Sequence, residues 1–198
     1  MSGGSDKKAE KKKRPPKEVT PTLLREQALR YLDRFAATTH KLKRHLLNKN
    51  RRAIEHYGQD VETIEQQIDQ LIERFEKQGI LDDQLYANGK ARSMARQGKS
   101  LRQIKGKLYS LGLSEQETST AEEEIVDSEG YSDQVGAAKL IRRRRFGPYK
   151  ETPPMAERRE KELMALVRNG FDFELSSKLL SIETIDELED IIFGPPDD

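Results

Sequence analysis

The sequence predicts an all-α protein made of tandem three-helix repeats that stack into an elongated, curved array. Three observations predict this fold class: a low apolar content, apolar residues at helical spacing, and a segment pattern that recurs along the chain. The 198 residues are 34% hydrophobic and 36% charged, whereas globular proteins average about 45–50% and 25%. So little apolar material favours several small helical cores over one large core.

Apolar residues recur every three or four positions in each predicted helix, which places them on one helical face. The first stripe consists of Leu24, Ala28, Tyr31 and Phe35. The clearest stripe consists of Val61, Ile64, Ile68, Leu71, Ile72 and Phe75. That helix is predicted to begin after Asp60 and to stop at Gly79, because glycine readily adopts the left-handed conformation of a helix end. A later helix is predicted to begin at the N-cap Ser100, and Ser114 with Glu117 forms a capping box for the next.

Two segments resemble each other at a spacing of 51 residues: Gly79-Ile80-Leu81-Asp82 and Gly130-Tyr131-Ser132-Asp133. The helices that follow end alike, in Leu108-x-x-x-Gly112 and Leu166-x-x-x-Gly170. Leu46-x-x-x-Asn50 supplies the first copy, with asparagine expected in the left-handed position. Proline residues predict a loop over 148–155. The predicted domains are a disordered basic arm at 1–21, repeats at 22–79, 80–128 and 129–193, and a flexible acidic tail at 194–198.

Several classes of site are excluded by composition. The chain has no cysteine, so it has neither disulfides nor thiolate metal ligands. His40, His45 and His56 lack metal-ligand spacing, and Gly98-Lys99-Ser100 lacks the first glycine of a phosphate-binding loop. Asp82 and Asp83 suit helix N-capping better than catalysis. We therefore expect a monomeric binding protein, not an enzyme, with no cofactor. No apolar run approaches the ~18 residues of a membrane span, so cytoplasmic residence is expected.

Charge is segregated although the net charge is only +1. Residues 38–52, 84–114 and 134–150 are rich in Lys and Arg and contain no acid, which is typical of phosphate-binding surfaces. The candidate nucleic-acid- or partner-binding residues are Lys41, Lys43, Arg44, Lys90, Arg92, Arg96, Lys99, Arg102, Lys105, Lys107, Lys139, Arg142, Arg143, Arg144 and Arg145. Acidic residues in 53–83 and 115–133 either pair with these helices or orient the molecule by repelling phosphate.

One motif resembles a known family. Gly79-Ile80-Leu81-Asp82-Asp83-x-x-Tyr86-Ala87, followed by Arg92, Gly98 and Leu108-x-x-x-Gly112-Leu113-Ser114, is similar to the RecX family of regulators of the RecA recombinase. The resemblance covers residues 22–181. It implies tandem three-helix repeats, binding within the RecA–DNA filament, and modulation, usually inhibition, of recombination during DNA repair and the SOS response. The sequence departs from the family at Asn50 and in the long segment 51–60.

Two other functions fit the residues alone. Three-helix units with basic faces are also typical of stand-alone DNA-binding proteins of the helix-turn-helix kind. The basic arm favours an RNA- or ribosome-associated adaptor. DNA, single- or double-stranded, is the expected nucleic-acid partner both for a regulator of the RecA filament and for a stand-alone DNA-binding protein.

Overall fold

The computed structural model describes residues 15–150 and 156–194. The predicted arm at 1–14, the tail at 195–198 and most of the predicted loop at 151–155 lie outside the described residues. Within the described part there are α-helices and one 3-10 turn, and no strand, so the all-helical class is confirmed. The helices are α1 Pro21–Leu32, α2 Thr39–Tyr57, α3 Val61–Lys77, α4 Asp83–Arg96, α5 Leu101–Ser110, α6 Glu115–Glu129, α7 Asp133–Arg144, α8 Ala156–Arg168, α9 Phe173–Leu180 and α10 Ile185–Phe193.

The buried apolar side chains form three clusters in chain order. α1–α3 form the first helix group, around Leu42 and Phe75. α4–α6 form the second, around Ile104 and Leu108. α7–α10 form the third, around Leu166. These small cores suit the low apolar content. The curvature of the array and the exact repeat boundaries stay predictions.

Local signals set most helix ends where the sequence predicts them. The Asp60 carboxylate accepts from the Thr63 amide at 2.8 Å, and α3 stops before Gly79, whose φ is +67°. Ser100 caps α5, and Ser114 with Glu117 forms the complete capping box of α6. Each cap satisfies an N–H group that the first helical turn leaves unpaired.

Asn50 does not end a helix, and the prediction of a left-handed residue there was wrong. α2 continues through it to Tyr57 and ends at Gly58, whose φ is +61°. The Asn50 side chain is buried and exchanges two hydrogen bonds with the amide of Gln27, so α1 and α2 are joined by a polar contact inside the first core. Most of segment 51–60 is therefore helix, and only a short turn separates α2 from α3.

The third helix group differs from the predicted three helices. Its third helix is divided into α9 and α10, because the chain leaves the helical path after Leu180 and Thr184 caps a new helix. Before Pro148, α7 ends with Arg145 in the left-handed conformation, at φ +53°, and residues Gly147–Tyr149 form the 3-10 turn. α10 packs on α7.

Part of the predicted arm belongs to the first helix group. Val19 is buried, and its amide and carbonyl both bond the Gln59 side chain, at 3.1 and 2.9 Å. The Tyr57 hydroxyl donates to the Pro16 carbonyl at 2.9 Å. Residues 16–20 therefore lie against the turn between α2 and α3.

The equivalence of the two glycine-containing segments is shifted by one residue. α4 has its N-cap at Asp82 and α7 at Ser132. Asp83 is thus equivalent to Asp133, at a spacing of 50 and not 51. Ile80 is an extra residue between Gly79 and the α4 cap, and it has no counterpart after Gly130.

Candidate nucleic-acid and partner interface

The helix groups are joined by one hydrogen-bond arrangement used twice. In the first junction, between groups one and two, the Thr38 hydroxyl donates to the Leu111 carbonyl at 2.7 Å. The Asp83 carboxylate accepts from the Thr39 amide at 2.9 Å. In the second junction, between groups two and three, the Ser100 hydroxyl donates to the Asn169 carbonyl at 2.8 Å. Asp133 there accepts from the Leu101 amide, also at 2.8 Å.

The glycines of the Leu-x-x-x-Gly helix ends serve these junctions. Gly112 and Gly170 have φ of +84° and +85°. A Cβ at Gly112 would collide with the His40 side chain, and one at Gly170 would lie 2.5 Å from the Ser100 hydroxyl. The motif therefore marks where one helix group closely approaches the next.

The second junction is closed by further contacts. A Cβ on Gly98, whose φ is +65°, would lie 2.8 Å from the Gly136 carbonyl oxygen. The Tyr131 hydroxyl donates to the Lys99 carbonyl at 2.5 Å, and the Arg143 guanidinium donates to the Gln97 carbonyl at 2.5 Å. Burial raises the pKa of the Tyr131 hydroxyl well above its ordinary value. α4 and α7 consequently pack directly together.

The first junction is open at the corresponding place. Tyr86 stands where Gly136 stands in the second junction, and the linking segment 33–38 is longer than 97–100. With the extra Ile80, these differences leave an apolar groove of about 490 Å³. The apolar groove is lined by Leu32, Phe35, Ala36, Ala37, Gly79, Ile80, Leu81, Asp82, Leu85, Tyr86, Gly89, Lys90 and Ser93. Phe35, predicted to lie on the apolar stripe of the first helix, lies beyond the end of α1 and is exposed.

Four of the predicted binding residues form ion pairs with the acidic helices. The pairs are Lys43 with Asp69 at 2.7 Å, Arg92 with Glu124 and with Glu129 at 3.2 Å, Lys105 with Glu122 at 2.6 Å, and Arg142 with Glu189 at 2.9 Å. Each joins a basic helix to α3, α6 or α10 within one helix group. These contacts favour the interpretation that acidic segments neutralise basic helices of the same protein. The four paired cations are therefore less available to bind a partner.

A second set of cations converges at the junction of α4 and α7. Lys139 lies with its ammonium 5.2 Å from the Tyr131 ring centroid. Burial lowers its pKa, and the charges of Arg142 and Arg96 act in the same direction, whereas the Glu129 carboxylate opposes them. Arg143 is held by its bond to Gln97.

The other nine predicted residues have no carboxylate within ion-pair distance among residues 15–150 and 156–194: Lys41, Arg44, Lys90, Arg96, Lys99, Arg102, Lys107, Arg144 and Arg145. Three of them, Lys90, Lys99 and Lys107, line a groove of about 470 Å³ between α4 and α5. Met94, Gln97, Gln103, Gly106 and Ser110 complete this basic groove. Lys41 and Arg44 lie on α2, and Arg144 and Arg145 end α7, so neither pair lines it.

The basic groove contains two features that the charge pattern did not indicate. Gly106 lies within α5, and a Cβ there would meet no atom within 4 Å. A glycine inside a helix costs about 0.5–1 kcal/mol relative to alanine, and the packing of the chain does not require this one. The Gln103 side-chain amide oxygen is buried without a hydrogen-bond partner in the described structure. A glycine inside a basic helix is the sequence signal that could have identified the groove.

Aromatic residues are divided between core and surface. Tyr109 is exposed, as the sequence allows. Phe146 and Tyr149 follow the arginine run, where the sequence allows exposed side chains, but they pack on the third core. The Tyr149 hydroxyl donates to Glu189 at 2.5 Å, and burial together with this carboxylate raises its pKa. Of these three aromatic residues, only Tyr109 is exposed enough to stack on a base.

No group of three metal-ligating side chains occurs among the described residues. None of the helices described is long and apolar enough to cross a membrane.

Comparison with known proteins identifies the family. A regulatory protein RecX of Myxococcus xanthus is 33% identical over 180 residues, which are 90% of this chain and 95% of the relative. This chain belongs to the RecX family. The RecX regulatory protein of Agrobacterium fabrum is 38% identical over 116 residues, 59% of each chain. No protein-family model matches the sequence.

A solved structure of a RecX regulatory protein has the same fold. It superimposes with a TM-score of 0.55 over 80% of this chain and 70% of the other, at 18% identity. In the RecX-like motif of this chain, Asp82 caps α4, whereas Asp83 bonds the preceding helix group. Gly98 and Gly112 allow close approach at the two junctions. The residues that carry the resemblance therefore hold the helix groups together.

Proposed function

We propose that this protein is a cytoplasmic regulator that binds the RecA–DNA filament and inhibits its recombinase activity in DNA repair and recombination. It has no catalytic activity of its own in this proposal. Its membership of the RecX family, whose matched relatives are regulatory proteins, supports a regulatory role. The observation that supports the DNA contact is the row of lysines along the basic groove, which have no carboxylate partner among the described residues.

Those lysines are suited to phosphate. Lys90, Lys99 and Lys107 line one groove and have no carboxylate partner in the described structure. Gly106 keeps the α5 side of that groove open. Each phosphate that a lysine neutralises releases a counterion, so affinity depends on salt concentration. Lys105 points toward Glu122 on α6 and contributes nothing to this surface.

Charge reversal tests the proposal. Replacing Lys99 and Lys107, which line the basic groove, together with Arg102 of α5 by glutamate should raise the concentration that half-inhibits filament-dependent ATP hydrolysis by about tenfold or more. The slope of log affinity against log salt should fall by roughly 0.7–0.9 for each phosphate that the protein no longer neutralises. The same change at Lys161, Arg168 and Lys178, in the third helix group, is the matched control. If the salt slope of the first variant is unchanged, the groove does not bind phosphate and is an ordinary solvated surface.

Binding and activity measurements on the wild-type protein distinguish the proposed function from its alternatives. A stand-alone DNA-binding protein would bind naked duplex with sequence preference and leave RecA-dependent ATP hydrolysis and strand exchange unchanged. An RNA-associated adaptor would lose its binding on deletion of residues 1–14. If the wild-type protein changes neither filament activity, the proposed function is wrong.

Filling the basic groove gives a test that leaves charge unchanged. Gly106→Leu should increase the stability of α5, because leucine is a better helix former and meets no neighbour within 4 Å of its Cβ. The added side chain should nevertheless weaken DNA binding by narrowing the groove. A more stable protein with unaltered DNA affinity would contradict this use of the groove.

A further inference from the structure

Three large apolar side chains converge at the surface on the apolar groove of the first junction. Leu85 is 69% exposed, Phe35 is 55% exposed and Ile80 is 42% exposed. Scattered apolar residues are normal on a protein surface, but a contiguous set that lines a groove is typical of a binding site. Covering this set would remove apolar area from water without rearranging the core beneath it.

The chain keeps this groove open with residues that its own packing does not require. Gly89 lies within α4 and faces the groove, and a Cβ there would meet no atom within 4 Å. Such a glycine weakens the helix relative to alanine. It is useful where another backbone or side chain must approach closely. The two grooves thus resemble each other: each has a helical glycine beside an open space.

The charges at the rim define what the occupant carries. The Asp82 carboxylate is already engaged, since it accepts from the Leu85 amide at 2.8 Å. Lys90 lines both grooves and has no carboxylate partner in the part of the chain that the structure describes. An occupant of complementary charge therefore presents a carboxylate to Lys90 next to its apolar side chains.

Because Lys90 of α4 lines both grooves, α4 lies between two different surfaces. On one side lies the apolar groove, and on the other lies the basic groove. In the apolar groove phosphate would find only one cation, Lys90, among leucine, isoleucine and phenylalanine, whereas an apolar protein segment complements most of the lining. A nucleoprotein offers both chemistries at once.

We propose that the apolar groove docks the protein subunit of the filament, which inserts an apolar side chain with an adjacent carboxylate facing Lys90. The basic groove on the other side of α4 then takes the DNA phosphates at Lys99 and Lys107, which line that groove alone. This assignment rests on the proposed function and specifies which surface meets which component. Apolar side chains seated in a groove supply most of the affinity of such contacts, and the surrounding charges fix the orientation.

Leu85→Glu is the decisive variant, because the side chain is mostly exposed and its replacement leaves the core intact. It should reduce affinity for RecA filaments on single-stranded DNA by at least about tenfold. Affinity for the same DNA without RecA should stay within about twofold, with the same salt slope. Phe173→Glu changes an exposed apolar residue in the first turn of α9 and is the matched control. Circular dichroism checks that each variant keeps its helicity.

Gly89→Leu provides a second test that introduces no charge. It should strengthen α4 while reducing filament affinity, again without effect on naked DNA. If both variants bind filaments as well as wild type does, the docking site is refuted although the proposed function stands. If wild type itself does not bind filaments, the proposed function fails first.

One alternative occupant remains, a second copy of this chain. Sedimentation of the wild type and of Leu85→Glu tests it. Concentration-dependent self-association that Leu85→Glu abolishes, with filament binding preserved, would show that a second copy of this chain fills the groove. That result would overturn the proposal. A monomer at all concentrations, together with the loss of filament affinity, supports it.

Discussion

The two junctions between helix groups use the same hydrogen bonds but differ in how tightly they close. In each, a buried cap hydroxyl, Thr38 or Ser100, reaches a carbonyl at the end of a helix in the next group. Only the second also brings backbone against backbone at Gly98 and Gly136. The hydrogen bonds therefore define the connection between groups, whereas small residues determine whether the space beside it is filled or open.

The largest expected effect is on the free energy of unfolding when a glycine at either junction is replaced by alanine, which adds one methyl group. Gly98→Ala should cost roughly 3 kcal/mol or more of unfolding free energy, because the left-handed conformation is strained and the new Cβ meets the Gly136 carbonyl. Gly79→Ala has the same strain, at φ +67°, but open space, and should cost about 1–2 kcal/mol. Urea denaturation measures both. Equal costs would show that the second junction is no tighter than the first.

An intermediate effect should be the same at both junctions. Thr38→Val removes a hydroxyl that donates to Leu111 and accepts from the Lys41 amide, and Ser100→Ala removes its counterpart. Each should cost about 2 kcal/mol, since buried carbonyl and amide groups lose their partners. Thermal or chemical unfolding gives the values. A large loss at one junction alone would mean that the shared bonds do not contribute equally.

A smaller effect belongs to the second junction alone. Tyr131→Phe leaves the Lys99 carbonyl without its hydroxyl donor and should cost about 1 kcal/mol. Leu81 occupies the equivalent position of the first junction and has no hydroxyl to lose. Tyr109→Phe, at an exposed tyrosine, is the control and should leave the free energy of unfolding unchanged. If the control loses as much unfolding free energy, the effect of Tyr131→Phe cannot be assigned to the second junction.

The smallest effect concerns pH at the first junction. Burial raises the pKa of the Asp83 carboxyl above its ordinary value of 3.8, although hydrogen bonds from Thr39 oppose this. Because the pKa is higher in the folded protein, the contribution of this group is fully present below pH 3.8 and is lost as the pH rises through the folded pKa. The free energy of unfolding of wild type relative to Asp83→Asn should therefore increase on acidification. A decrease would contradict the burial of this carboxylate.

Local chemistry explains why the helices were largely predictable. Asp60, Ser100 and Ser114 cap helices through groups only three residues away, so their effect is visible in the sequence. Asn50 shows the limit of this approach. Its local pattern resembles a helix end, but Gln27, on another helix, satisfies its side chain within the core and the helix continues.

The candidate site was only partly predictable for the same reason. The charge pattern located three basic segments, but it could not separate Lys105, which is neutralised by Glu122, from Lys107, which lines the basic groove. The two are neighbours in sequence and point to different surfaces of α5. Ion pairing depends on which helix lies opposite, and that is set by packing between helices.

By itself the sequence determined that this protein is helical, that its helices begin and end at particular caps, and that it resembles the RecX family. These properties depend on residues close together in the chain. Tertiary structure alone decided which lysines find a carboxylate partner within the described part of the chain, why Gly98 and Gly136 meet, and where a groove stays open beside Leu85. Each of these depends on atoms that are distant in sequence, and the spacing of residues along one helix does not specify the surface that another helix presents to it.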